Sequence, residues 1–123
     1  MTRKALLITG DEDLKKYIEI SALTLTKLNC QTEIVYTVDF DEAINISKED
    51  NLDLILIDLE LNNFPPLGLI KKISLEIKSQ NKKLIGFSNN IDALNREEVF
   101  RNGCGSIMSK DELKNVINNL LQF

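Results

Sequence analysis

Histidine and tryptophan are absent from the 123 residues. Without histidine the chain builds no Ser-His-Asp or Cys-His triad, no histidine-ligated metal centre and no phosphohistidine of its own. Cysteine is scarce. Cys30 and Cys104 lie far apart in sequence, which excludes a CxxC redox pair and a zinc site. The expectation for both thiols is a small buried hydrophobe in a reducing compartment. Proline occurs only at the adjacent Pro65 and Pro66, so both mark one loop and no Pro-rich linker divides the chain. Positive charge is also short: 15 Lys and Arg stand against 19 Asp and Glu, for a net charge of −4. That balance argues against a nucleic-acid backbone as the main partner. A long apolar run is missing too. Met1-Thr2-Arg3-Lys4 leads only into Ala5-Leu6-Leu7-Ile8, too short for a signal-peptide core or a membrane span. The expected compartment is the cytoplasm, with no membrane partner.

Hydrophobic residues at 43% and charged residues at 28% supply one core and a soluble surface, so residues 1–123 read as a single domain. The hydrophobic pattern alternates along the chain. Ala5 to Ile8, Glu33 to Val38, Leu54 to Ile57 (ending at Asp58), Lys83 to Phe87 and Ser106 to Met108 read as strands. Between them, residues recur at helical spacing. Leu14, Tyr17, Ile18, Leu25 and Leu28 form one stripe; Phe40, Ala43, Ile44 and Ser47 a second; Leu69, Ile70, Ile73 and Ile77 a third. Asp92 is placed to cap a fourth helix carrying Leu94, Val99 and Phe100, with Gly103 at its left-handed end. Asp39 with Glu42, and Ser109 with Glu112, have capping-box spacing; the second pair opens a last helix bearing Leu113, Val116, Ile117, Leu120 and Leu121. Five strands alternating with five helices predict an α/β fold, a five-stranded parallel sheet with helices on both faces. In such sheets the chemistry gathers beyond the carboxyl ends of the strands. The residues there are Thr9, Gly10 and Asp11, then Asp58, Ser88 and Lys110.

An acid, a hydroxyl and a lysine on three strand ends form a coherent chemical set. A carboxylate at Asp58 can accept a phosphoryl group as an acyl phosphate. A hydroxyl at Ser88 can bond a phosphoryl oxygen, and an ammonium at Lys110 can balance the added charge. With Asp58 and Ser88 30 residues apart and Ser88 and Lys110 22 apart, and with Gly103-Cys104 just before the fifth strand, the chain resembles a response regulator receiver domain of the CheY-like, flavodoxin-like (βα)5 type. The resemblance spans essentially the whole chain. It implies a stand-alone receiver in a two-component phosphorelay, with Asp58 as phosphoacceptor, Ser88 as switch hydroxyl and Lys110 as the phosphate-pairing cation. It further implies a histidine kinase or phosphotransfer protein as donor and a downstream protein as target. Such a module is not an enzyme, beyond catalysing its own phosphorylation and dephosphorylation.

The departures from that pattern bear on the metal and on the output surface. Receivers end the first strand with two adjacent acids that hold Mg²⁺ together with the acceptor; here Thr9 and Gly10 stand in their places. Mg²⁺ wants charged oxygen ligands in near-octahedral geometry, so its binding is expected to be weak or lost. Asp11 and Glu60 are the substitutes available to join Asp58 as ligands. Asp111 follows Lys110 where receivers carry a proline, which predicts a trans bond there. Ile107 occupies the position of the usual switching aromatic, and Asn62 that of a frequent proline, with Pro65-Pro66 lengthening the loop before Gly68.

Each of these residues also has a plainer reading. Asp58 can cap a loop, Ser88 can bond its own turn, and Lys110 can sit in solvent. Asp11-Glu12-Asp13 suits a helix N-terminus, Phe64 and Phe87 suit packing, and Lys71-Lys72 and Lys82-Lys83 suit solvated faces. On that plainer view the chain is a pseudo-receiver, a docking module that works without phosphorylation. A flavodoxin-like cofactor binder fits less well, because the acidic loop after strand one would repel a phosphate, and no GxGxxG or GxxxxGK[ST] motif occurs.

Overall fold

A computed structural model describes residues 3–26, 32–78, 80–90 and 96–122. Strands β1 (Arg3–Ile8), β2 (Thr32–Thr37), β3 (Leu52–Asp58), β4 (Lys83–Ser88) and β5 (Ser106–Ser109) alternate with helices α1 (Glu12–Thr26), α2 (Phe40–Ser47), α3 (Pro66–Glu76), α4 (Arg96–Arg101) and α5 (Lys110–Leu120). The strands make one parallel sheet in the order β2-β1-β3-β4-β5. Strand order therefore reverses between β1 and β3, which opens a crevice at their carboxyl ends.

The apolar runs are explained by cover on both faces. Side chains alternate along β3, so Leu54 and Leu56 join α1 and α5 through Leu14, Ile18, Leu113 and Ile117. Ile55 and Ile57 point the other way and pack with Ala43, Leu69, Ile70, Ile73 and Val99 of α2, α3 and α4. All four β3 residues are fully buried. Each contributes about 1.5–3 kcal/mol relative to an exposed position, which makes β3 the rigid post on which Asp58 stands.

The caps follow the sequence. Asp39 accepts from Glu42 N at 2.8 Å at the start of α2. Ser109 and Glu112 form the full reciprocal capping box of α5. Gly103 sits at φ 114, where an added Cβ would run into Ser74. No cis peptide bond occurs among the described residues, so the Lys110–Asp111 bond is trans as expected. Cys104 is buried, and burial pushes its thiol pKa up.

Several expectations need correction. Tyr17 is 42% and Phe100 47% exposed, so neither belongs to the core stripes; Ala22 fills the α1 stripe instead. Gly68 lies inside α3, because Pro66 at the helix start pre-sets the backbone one turn earlier than the loop reading allowed. Lys82 is not a solvated side chain. Its ammonium donates to Ser47 O at 2.7 Å and Glu49 O at 2.6 Å, satisfying carbonyls at and just beyond the end of α2. The residues Leu28, Cys30, Asp92 and Leu94 lie outside the described residues.

Candidate functional site

The register places the site. Ile8 pairs with Ile57 across β1 and β3, so the next residues along, Thr9 and Asp58, come side by side at the crevice. The Thr9 hydroxyl, fully buried, donates to Asp58 Oδ2 at 2.6 Å. Asp58 is itself only 4% exposed, and its Oδ1 accepts from Glu60 N at 2.9 Å. Both oxygens of the carboxylate are thus held, one by the residue that follows β1 and one by the turn that follows β3.

Lys110 enters from the other direction. Its predecessor, Ser109, ends β5 and caps α5, so Lys110 is the first helical residue and its long side chain reaches back over the sheet edge. The ammonium lies 3.2 Å from Asp11 Oδ2, 3.5 Å from Glu60 Oε2 and 3.7 Å from Asp58 Oδ2. A helix N-terminus is an unfavourable place for a cation, because the backbone amides there already carry partial positive charge. The three carboxylates reverse that preference. Burial works against the charged amine, but its hydrogen bond to Asp11 and the fields of Asp58, Asp11 and Glu60 outweigh it and hold the Lys110 pKa above its ordinary value. Asp11 is shifted the opposite way. The backbone amide of Leu14, 3.1 Å from Oδ1, is the main cause of its lowered pKa, reinforced by Lys110 and opposed by burial.

The resulting cleft is lined by Gly10, Asp11, Asp58, Glu60, Leu61, Asn62, Asn63 and Lys110, with a volume of about 510 Å³. It is open to solvent and large enough to admit a phosphoryl group. Asp58, Lys110, Asp11 and Glu60 are thus brought together. Ser88 is not among the residues that line the cleft. It is buried at the end of β4, and its Oγ accepts from Asn90 N at 3.1 Å in a local turn. Thr9 is the residue whose role sequence reasoning missed. It counted only as a missing acid, although a hydroxyl directly after a buried apolar strand is the kind of group that must find a buried partner.

The metal expectation fares differently. Asp11, Asp58 and Glu60 do stand near one another, yet each turns an oxygen toward the Lys110 ammonium. Among the described residues, no group of three or more His, Cys, Asp or Glu side chains is arranged to hold a metal ion. Mg²⁺ needs oxygens at about 2.0–2.1 Å. The carboxylates present here face an ammonium at longer range, and the Asp58 oxygen nearest that ammonium also accepts from the Thr9 hydroxyl. The residues as arranged do not fit the ion.

No protein-family model matches the sequence, and no curated protein matches it. Solved structures do. The phosphorylated phytochrome response regulator of a cyanobacterium superposes with a TM-score of 0.76 at 15% identity, covering 98% of this chain and 91% of the other. This chain has the receiver fold. The receiver domain of a sensor histidine kinase from Pseudomonas aeruginosa PAO1, solved with a magnesium ion in its active-site cleft, gives 0.73 at 16% identity and covers 98% of both chains. A Francisella response regulator receiver gives 0.69 at 21% identity, over 98% of this chain and 97% of that one. These similarities extend across the chain rather than along a fragment, and they match the five-stranded order of the CheY-like, flavodoxin-like receiver. No described helix is long and apolar enough to cross a membrane.

Proposed function

We propose that residues 1–123 act as one receiver module of a two-component phosphorelay in the cytoplasm, with Asp58 taking a phosphoryl group from a histidine kinase or phosphotransfer protein. The observation that carries this reading is the convergence of Asp58 and Lys110 in an open cleft at the strand-order reversal. In the transfer, a carboxylate oxygen of Asp58 attacks phosphorus, the P–N bond to the donor imidazole breaks, and its electron pair leaves with the imidazole. Lys110 supplies the charge that the acyl phosphate needs beside it. Ser88 accepts from Asn90 N and so keeps its own hydroxyl proton to offer a phosphoryl oxygen. The module turns over no substrate; its output is a downstream protein that senses the modified state.

A second reading is favoured by Thr9 and Gly10, which stand at the end of β1 in place of acids. On that reading the chain is a pseudo-receiver that docks to its partner without phosphorylation. Intact-mass measurement after incubation with acetyl phosphate or a phosphoramidate decides between them. A labile phosphoryl adduct in the wild type that is absent from Asp58→Asn supports the receiver. No adduct at high donor concentration leaves the docking module.

A further inference from the structure

The Asp11, Asp58 and Glu60 carboxylates raise a question of occupancy that is separate from phosphorylation. Three carboxylate oxygens, Asp11 Oδ2, Asp58 Oδ2 and Glu60 Oε2, converge on one point, and that point is taken by Lys110 Nζ. The ammonium donates a hydrogen bond to Asp11 Oδ2 and is ion-paired with the other two oxygens, so the three carboxylates form a tripod around it. Two further carboxylate oxygens are tied to the backbone: Asp11 Oδ1 accepts from Leu14 N at 3.1 Å and Asp58 Oδ1 from Glu60 N at 2.9 Å. Glu60 Oε2 is also within 3.3 Å of Asn89 N. The tripod is therefore positioned by backbone amides of three segments, the first turn of α1 and the turns after β3 and β4, and does not depend on an added ion to hold its shape. Lys110 is 9% exposed and sits against the helix dipole of α5, a placement that the tripod compensates.

We infer that the Lys110 ammonium is the resident cation of this cleft, standing in for a divalent metal, with the Thr9 hydroxyl fixing the Asp58 oxygen toward it. Two consequences follow. The wild-type cleft takes no divalent cation, because a metal using the same oxygens must displace Nζ and turn the Thr9 proton away. Removing the ammonium vacates that point, so in Lys110→Met the Asp11, Asp58 and Glu60 side chains are free to close in from these distances onto a divalent cation.

The test is an amide NMR titration of the full chain with Mn²⁺, read as distance-dependent broadening, and with Mg²⁺, read as chemical shift. Lys110→Met is expected to show saturable changes centred on residues 11, 58 and 60, with a dissociation constant on the order of 1 mM, and the wild type no saturable change at about ten times that concentration. Lys110→Gln, which keeps more of the side chain's polarity, serves if the methionine variant does not fold. Saturable broadening at those three residues in the wild type overturns the inference, and so does a folded Lys110 variant that fails to bind. The readout is cation binding rather than a phosphoryl adduct, so its outcome is independent of whether Asp58 is phosphorylated.

Discussion

The two ends of the sheet each hold a partly buried lysine, and they hold it in opposite ways. At the amino end, Lys82 makes two short bonds, 2.6 and 2.7 Å, to the neutral carbonyls of Glu49 and Ser47. Around it Lys4 pairs with Glu49 and Arg3 with Asp53. Burial is the main influence on Lys82, and despite help from Asp50, Asp53 and Glu49 its pKa is lowered. At the carboxyl end, Lys110 makes looser contacts of 3.2–3.7 Å to three carboxylates, and its pKa is raised. Short bonds to carbonyls make a helix cap. Loose contacts to several anions make a cation whose partners can be exchanged, which is what a site that gains and loses negative charge requires. On the proposed function, what separates the capping lysine from the site lysine is their acceptors and distances, not burial alone.

Substituting each lysine by methionine tests this division. Lys82→Met leaves two carbonyls without their charged donor and is expected to cost about 3 kcal/mol in denaturant unfolding while leaving any phosphoryl adduct at Asp58 intact. Lys110→Met leaves three carboxylates facing one another across a partly solvated cleft, at about 2 kcal/mol, and reduces the adduct sharply. If Lys82→Met disturbs the adduct as much as Lys110→Met does, the division fails. Thr9→Val, nearly isosteric, removes the donor to Asp58 Oδ2 and the acceptor of Asp11 N at a cost of about 1 kcal/mol, measured the same way.

The smallest effect lies in alkaline pH. The raised pKa of Lys110 contributes stability below the ordinary lysine range that is lost as pH rises through its folded-state value. The lowered pKa of Lys82 is a penalty on its charged form, relieved as pH rises toward that range. The two slopes oppose each other in the wild type. In Lys82→Met the decline of stability with pH should steepen, and in Lys110→Met it should flatten; equal slopes in both variants, measured by urea midpoints across the alkaline range, contradict the assignment.

Most of the architecture was legible because parallel strands covered on both sides read as unbroken apolar runs, and Leu54 to Ile57 is the clearest of them. Asp58 and Lys110 were singled out for a related reason: each lies just beyond the end of a strand run. What escaped was whatever depends on register or on the third dimension. Thr9 faces Asp58 only because Ile8 pairs with Ile57, and spacing along the chain carries no such information. Lys82 looked like half of a charged pair on a solvated surface until α2 was seen to end beside it. Tyr17 and Phe100 kept helical spacing yet face outward, since periodicity locates a stripe without fixing how wide the buried arc is.

Between β5 and α5 there is no linker: Ser109 closes the strand and caps the helix, and Lys110 follows at once. Any rearrangement that draws the amine toward or away from Asp58 has no slack segment to absorb it. Beyond what the side chain's own torsions accommodate, the whole rod must pivot, carrying its far end, about 16 Å distant, along with it. A change of one charge in the crevice would then be announced on the opposite side of the molecule as a movement of Leu120 and its neighbours.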